Sequence, residues 1–507
     1  MLIQQNILES DWNLIKLRFA EKILGEGADA RYLMVFGGSS VTAGHDNGVN
    51  LSYPLIVNKR MHAPLAAAGV DLQVHNIAQG ANNCLPSNVC FESMGGHDPD
   101  FVGWEQSFNC GRDEKIFELT TRFAAWSKTP GSAYFSNSGS VNPNHCNISE
   151  FKKPWSDEDW TPDLEGLPAW NPTPDDVKYW RERYNFAYTK GGSTSQRFGG
   201  RSYPYRNYGV AVLGQDLWGS YKRTDLCDAA PEMNGLQCSP EVFYSKCVMK
   251  MMRKEAAAYG MGRGARHHPG KGMHQVRGEL ISFLYSLIFL DALYDVQAAV
   301  AAAGATSGTL SRTVAQAVRQ KFSDERAAMV TMSTMPKPIM CGPYHCETKP
   351  NCFTEYRSHF SEDLFLSQQL VGPLNWESNV RNPGVADTKF SEHRGGYHSR
   401  NSSDGGLHLK IKIGETNFLM VCFYHIADAQ HAMEYYLEPN VDPARLTSEY
   451  APKLDKVINW ETDVVMEPGY GCHKVHNLPV GQHVLGIRYK ENAKKAAAGI
   501  SHLITWN

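Results

Sequence analysis

The apolar positions of this chain follow two regimes. Up to about residue 330, short wholly apolar runs alternate with longer stretches in which apolar residues recur every three or four positions. Tyr32-Leu33-Met34-Val35-Phe36, bounded by Gly37 and Gly38, is the first such run. It reads as a strand covered on both faces, as in a parallel sheet. Leu72 to Ile77, Asp100 to Glu105 and Ser132 to Ser136 read as further strands. Between them, Pro54 to Gly69 and Glu114 to Lys128 have helical spacing, the first with Pro64 as a kink and Gly69 as its C-cap. An amphipathic helix precedes Gly25, a long helix runs from Met273 to about Ala302, and another spans Leu310 to Val330. This β-α-β-α alternation predicts a flavodoxin-like, three-layer α/β fold with a parallel sheet.

Two stretches depart from that rhythm. From about 138 to 236 the pattern loosens into Pro, Gly, Trp, Asn and Tyr, with one helix expected at Pro174 to Tyr188. Long loops of this kind form lids or binding surfaces. Trp155, Trp160, Trp170, Trp180, Tyr203, Tyr205, Tyr208 and Trp218 would stack on sugar rings or pack a small core of their own. A helix is expected again at Pro240 to Tyr259. Beyond Pro336 the period becomes two: His408 to Ile413, Phe418 to Tyr424 and Gln482 to Tyr489 alternate between Gly, Pro and Asn turns. That pattern predicts an antiparallel β-sandwich. The expected organisation is an α/β domain over 1–335, with a loop-rich insertion at about 138–236, and a cysteine-containing sandwich domain over 336–507.

Composition adds limits rather than a new picture. With 42% hydrophobic and 20% charged residues the chain is of folding composition. A net charge of -3 gives no nucleic-acid footprint, and Arg263, Arg266 and Lys271 read as solvated or site-lining charge. No transmembrane segment is expected: Leu280 to Leu290 is bracketed by Glu279 and Asp291 and reads as a buried helix. No signal peptide opens the chain. Yet the twelve cysteines and the sequons at Asn50, Asn147 and Asn401 suit a secreted protein, or one of the secretory lumen or cell surface. A native precursor with a leader or anchor absent from this chain reconciles the two. Seven cysteines precede residue 336 and five follow, so a bridge between the domains, or one free thiol in each, is implied. Cys422 and Cys472 are a plausible strand-to-strand pair. Cys341, Cys346 and Cys352 lack zinc-type histidine spacing, so no metal or cofactor is expected.

The chemistry follows from the turns at the strand ends. Ser39-Ser40-Val41-Thr42-Ala43-Gly44, Ala78-Gln79-Gly80 and Gln106-Ser107-Phe108-Asn109 follow three successive strands. Open α/β sheets keep their chemistry at that edge. Ser40, expected at the start of a helix, offers a hydroxyl, and free N–H groups there would stabilise an oxyanion. Gly80 adds a backbone donor and Asn109 a side-chain amide.

On these blocks the chain resembles the SGNH (GDSL-like) hydrolase superfamily over roughly residues 30 to 302. Gly38-Ser39-Ser40-Val41-Thr42-Ala43-Gly44 is similar to the first block, with Ser40 at the nucleophile. Asn76-Ile77-Ala78-Gln79-Gly80 resembles the second, and Asp100 to Asn109 the third, with Gly80 and Asn109 at the oxyanion donors. His268-Pro269-Gly270 before a long helix resembles the last block, with His268 as the base and His267 as the alternative.

Three departures stand out. Ser39 replaces the Asp usual before the nucleophile. Ser107 and Cys110 replace a Gly and an Asp of the third block. The position three before the base is Ala265 for His268, or Gly264 for His267, where the family has Asp. Asp216, Asp225 and Asp228 are candidates for a displaced acid. Asp404-Gly405-Gly406-Leu407-His408 is a decoy, with spacing one residue too long.

The resemblance implies a serine esterase that hydrolyses or transfers O-acyl groups, O-acetyl among them, of a glycan or lipid. The missing Asp leaves open a degenerate relative that binds glycans or serves a structural role.

Overall fold

A computed structural model of the chain describes residues 5–44, 52–78, 84–105, 114–137, 173–178, 181, 204–216, 271–304 and 310–338 of the first part. Of the second it describes 347–356, 362–372, 374, 376–380, 395–399, 405–423, 433–447, 450–453, 456–467, 471–490 and 498–506.

The first sheet contains β1 (Gln5–Asn6), β2 (Arg31–Gly38), β3 (Asp71–Asn76), β4 (Phe101–Glu105), β5 (Ser132–Asn137) and β6 (Ala211–Asp216). Strands β3-β2-β4-β5-β6 run parallel in that order, and β1 pairs antiparallel with β6 at the edge. Counted from the first parallel strand this is 2-1-3-4-5, the flavodoxin-like order. Strand β6 lies inside the stretch whose pattern suggested a loop-rich insertion. Its apolar run is brief, and pairing on both sides with β5 and β1 supplies what periodicity does not. Asp11, fully buried, accepts the Val212 N–H at 3.0 Å and two bonds from Arg206, fastening the first helix to this strand.

The helices are α1 (Glu9–Ile23), α2 (Tyr53–Ala67), α3 (Cys84–Ser87), α4 (Phe91–Gly95), α5 (Glu114–Trp126), α6 (Lys271–Ala302) and α7 (Arg312–Ala328). Side chains alternate across β2. Tyr32, Met34 and Phe36 enter a core with α1, α2, α6 and α7, while Leu33 and Val35 enter another with α4 and α5. By length and composition, Arg277–Ala302 could cross a bilayer. Here Ile281, Leu284, Leu287, Ile288 and Ala292 are fully buried in the first core, as the expectation of a buried helix for Leu280 to Leu290 requires. Helix α6 also crosses α2 closely at Gly278, where a Cβ would stand 2.4 Å from an Ile56 methyl.

Every described strand pair of the second domain is antiparallel. One sheet has the order β10 (Leu407–Ile413), β16 (Gly481–Tyr489), β12 (Met433–Glu438), β13 (Lys456–Val457). The other has β14 (Val464–Glu467), β15 (Cys472–Val475), β11 (Leu419–Phe423), β17 (Ala498–Trp506), β9 (Gly395–Ser399) and β8 (Glu377–Val380), with β7 (Pro350–Thr354) also on β17. Strand β11 is buried at every position. Leu419, Val421 and Phe423 face the four-stranded sheet, while Met420 and Cys422 join the core shared with β2 and α4. An all-apolar strand in an antiparallel sheet means two covered faces. The larger sheet is thus packed on the α/β domain as well as on its sister sheet.

Covalent and ionic ties cross the same boundary. Cys90 bridges Cys352, an interdomain bond and one of the two outcomes the odd cysteine counts left open, and Cys422 bridges Cys472 directly opposite it on β15. The buried Arg122 of α5 donates to the Pro336 carbonyl at 2.7 Å and to the Tyr205 hydroxyl at 3.0 Å, so Tyr205 packs a core. His97 contacts Glu92 at 2.6 Å and, across the boundary, Asp363 at 3.0 Å.

Burial alone would lower the His97 pKa, but the two carboxylates outweigh it and the value is raised. The charged imidazole stabilises the fold fully below its unfolded pKa of about 6.5, and that contribution is lost as pH rises through the higher folded value. Because the ring is 46% exposed, solvent screening holds the effect to about 1 kcal/mol or less. Thermal melts from pH 6 to pH 9 are expected to show a fall in stability that His97→Ala removes. Parallel pH profiles of the two proteins would contradict it.

Candidate active site

The turn after β2 is built around one acidic side chain. Gly38 adopts φ +146°, and a Cβ there would stand 2.5 Å from the Glu105 carbonyl oxygen and 2.6 Å from the Thr42 hydroxyl. Only glycine lets β2 pass that close to the end of β4. Register places Gly38 opposite Glu105 and Phe36 opposite Asn76, so β3, β2 and β4 finish at a common edge.

Glu105, fully buried, accepts the Ser39 hydroxyl at 2.7 Å, the Ser39 N–H at 3.3 Å and the Thr42 hydroxyl at 3.2 Å. The Ser39 Oγ in turn accepts the Val41 N–H at 3.2 Å, and the Ser39 carbonyl accepts the Ala43 N–H at 3.1 Å. Ser40, half-buried, is therefore the first residue of a single α-turn closed by Gly44 at φ +77°. The expectation of a helix beginning at Ser40 is modified accordingly. The next described helix is α2, which starts at Tyr53.

A second layer of bonds holds the turn from below. Asn76, at the end of β3, donates to the Thr42 carbonyl at 2.8 Å and to the Ser52 hydroxyl at 3.2 Å. The Tyr53 phenol meets the Thr42 hydroxyl at 2.9 Å, and its backbone N–H donates to Nδ1 of His274 at 3.2 Å. The His274 ring thus serves this bond as an acceptor through Nδ1. His274 also stacks on the Tyr53 ring, and the Arg277 guanidinium lies 5.6 Å from the centre of that ring. Burial, and next the Glu105 carboxylate, push the Tyr53 pKa far up against the opposing effect of Arg277, so the phenol stays protonated as a donor.

This polar floor ties the ends of β2, β3 and β4 to the first turns of α2 and α6. Sequence reading singled out neither Tyr53, His274 nor Arg277, and it placed Glu105 only within a strand. The available signal for Glu105 was an acidic residue ending an otherwise apolar strand, Phe101-Val102-Gly103-Trp104-Glu105.

Of the residues expected in the site, Ser40 is placed at the sheet's carboxyl edge. Gly80, Asn109, His267 and His268 lie outside the described residues, as do Asp225 and Asp228. Gly80 follows Ala78, the last described residue after β3, by two positions, and Asn109 follows the end of β4 by four. Asp216 ends β6 on the same edge, three strand spacings from β2, or about 14 Å. His408 belongs to β10 of the sandwich, which disposes of the decoy.

The architecture is thus a doubly wound α/β domain with a Ser-bearing turn at its switch edge, as the SGNH resemblance implied, followed by the β-sandwich that the alternating pattern predicted. No protein-family model and no curated protein matches the chain. Among solved structures it is similar to a two-domain esterase (CEX) active on acetylated mannans, at 11% identity and a TM-score of 0.43, over 100% of this chain and 97% of that one. A structure of such an esterase co-crystallized with mannopentaose gives 12% identity and a TM-score of 0.41, over 100% of this chain and 96% of that one.

Proposed function

We propose that this protein is a serine carboxylic-ester hydrolase acting on O-acyl groups of a glycan, with O-acetyl groups as the preferred class. Ser40 is the nucleophile. His268 removes its proton as Oγ attacks the ester carbonyl, and the Ser40 and Gly80 N–H groups with the Asn109 amide receive the negative oxygen. Collapse breaks the acyl–oxygen bond, His268 returns the proton to the leaving sugar hydroxyl, and water repeats the sequence to release the acid. A second sugar hydroxyl in place of water makes the reaction a transfer.

The observation that carries this reading is the Ser40 turn itself: a half-buried serine at the end of a central parallel strand, fixed from beneath by Glu105. The Ser39 of this chain replaces an Asp of the family's first block, and Glu105 reaches the same turn with a carboxylate from the neighbouring strand. A further support is the placing of α6. Its first turn is bonded through His274 and Tyr53 to Thr42, and His268 lies three residues before its start, a span of about 10 Å at most. That short separation supports His268 as the base.

Two disulfides agree with an oxidising, extracellular setting. Release of acetate from an acetylated polysaccharide by the intact chain, and its absence with Ser40→Ala, is the expected result. Binding of the polysaccharide by both proteins without acetate release would instead favour the degenerate glycan-binding reading, which the missing Asp before His268 motivates.

A further inference from the structure

At the opposite edge of the parallel sheet, where β2 and β4 begin, a cleft of about 690 Å³ opens between α1, the Gly27–Ala30 turn and α7. Six cations line it, Arg18, Lys22, Arg31, Lys128, Arg319 and Arg326, against three carboxylates, Glu21, Asp29 and Asp98. Asp100 stands behind them as a fourth.

The carboxylates are already shared. Asp100 receives Arg18 at 2.6 Å and Lys22 at 3.4 Å, Glu21 receives Arg18 at 3.2 Å and Arg326 at 2.7 Å, and Asp29 receives Arg319 at 2.8 Å. Asp98 accepts the backbone N–H of Lys128. Among the described residues, Arg31 and Lys128 have no carboxylate within ion-pair distance; Arg31 donates one N–H to the His97 carbonyl. The cleft keeps an excess of two positive charges.

Of the two cations without a carboxylate, Lys128 is exposed and Arg31 half-buried, while the paired cations beside them are poorly hydrated. The side chains of Lys22, Arg326 and Arg18 are only 8%, 13% and 16% exposed. Packing like charges away from water is unfavourable unless an opposite charge joins them. Burial lowers the Lys22 pKa, which reports the same tension. A volume of this size suits a small-molecule group, and guanidinium forks match tetrahedral oxyanions.

We propose that this cleft binds a tetrahedral oxyanion, the phosphate or sulfate ester group of a small molecule or saccharide, at the edge of the sheet away from Ser40. Arg31 and Lys128 meet the anion directly, and the shared cations beneath it supply the field.

Calorimetric titration of the full chain with inorganic phosphate, glucose 6-phosphate and glucose 6-sulfate, at ionic strength held constant with chloride, tests this. One saturable site is expected, weakened about tenfold or more by Lys128→Glu and by Arg31→Gln. Hydrolysis of p-nitrophenyl acetate is expected to be unchanged in both variants, and Ser40→Ala is expected to bind the anion as the parent does. The two readings therefore fail separately. Tighter binding of one hexose ester identifies its anion as the group the cleft selects. No saturable heat with any of the three probes, or parental affinity in both folded variants, overturns the proposal.

Discussion

Ser40→Ala is expected to lower kcat for p-nitrophenyl acetate by about a thousandfold or more while KM stays near the parental value. The hydroxyl is the bond-forming atom, so its loss removes the covalent route without altering how the ester is held. His268→Ala is expected to cost about as much, because a neutral serine hydroxyl is a weak nucleophile without a base. The two losses should not add, since groups acting as one unit are not independent. His267→Ala is expected to change kcat by only a few-fold; a reversal of the two histidine results would assign the base to His267. Stopped-flow release of nitrophenol supplies the check: a burst with the parent chain and none with Ser40→Ala.

Glu105→Ala should produce the largest effect among residues that never touch substrate. The carboxylate is fully buried and accepts from Ser39 Oγ, Ser39 N–H and Thr42 Oγ1. Removing it takes this acceptor from the Ser39 and Thr42 hydroxyls in a buried site, while the Ser39 N–H keeps the Glu105 main-chain carbonyl at 3.2 Å. Each unsatisfied buried group costs about 1–3 kcal/mol, so a total loss of about 3 kcal/mol is expected after relaxation. The kinetic loss follows from geometry: the turn that aims Ser40 is free to shift, and a displacement near 1 Å costs about a hundredfold in rate. Since the ester-binding surface is unchanged, the loss falls on kcat rather than KM. Glu105→Gln keeps one acceptor oxygen and is expected to lose about 1 kcal/mol, with a smaller kinetic defect. Urea denaturation paired with steady-state kinetics measures both. Parental stability and kcat in Glu105→Ala would show that the turn holds its shape without the carboxylate.

Much of the scaffold was legible in residue order because its signals are local. The stretches at Tyr32–Phe36, Leu72–Ile77, Asp100–Glu105 and Ser132–Ser136 became β2, β3, β4 and β5, paired in parallel as the β-α alternation implies. The long helix α6 and the alternating β10 and β16 were equally plain. Strand β6 was not: Ala211-Val212-Leu213 is too short to declare a period, and its place is fixed by Asp11 some 200 positions earlier in the chain. Phe418 to Tyr424 was expected to alternate, but β11 is buried at every position, and nothing local said that its second face would meet the α/β domain.

The site divides in the same way. Ser40 was legible because glycines and small hydroxyl residues follow an apolar strand. The supporting residues were not, because each works over a long separation: Glu105 lies 66 positions from Ser39, and His274 lies 221 from Tyr53. A carboxylate that replaces the Asp expected beside Ser40 cannot be found by looking beside Ser40. Its strand neighbour becomes visible only once β2 and β4 are known to be adjacent.

The most direct test is covalent. The chain is treated with a fluorophosphonate and its peptides are mapped by mass spectrometry, with and without disulfide reduction. A single phosphonyl adduct on Ser40 is expected, lost in Ser40→Ala and slowed in His268→Ala. An unmodified Ser40 under conditions in which the chain cleaves esters, or an adduct on another serine that persists in Ser40→Ala, would contradict it.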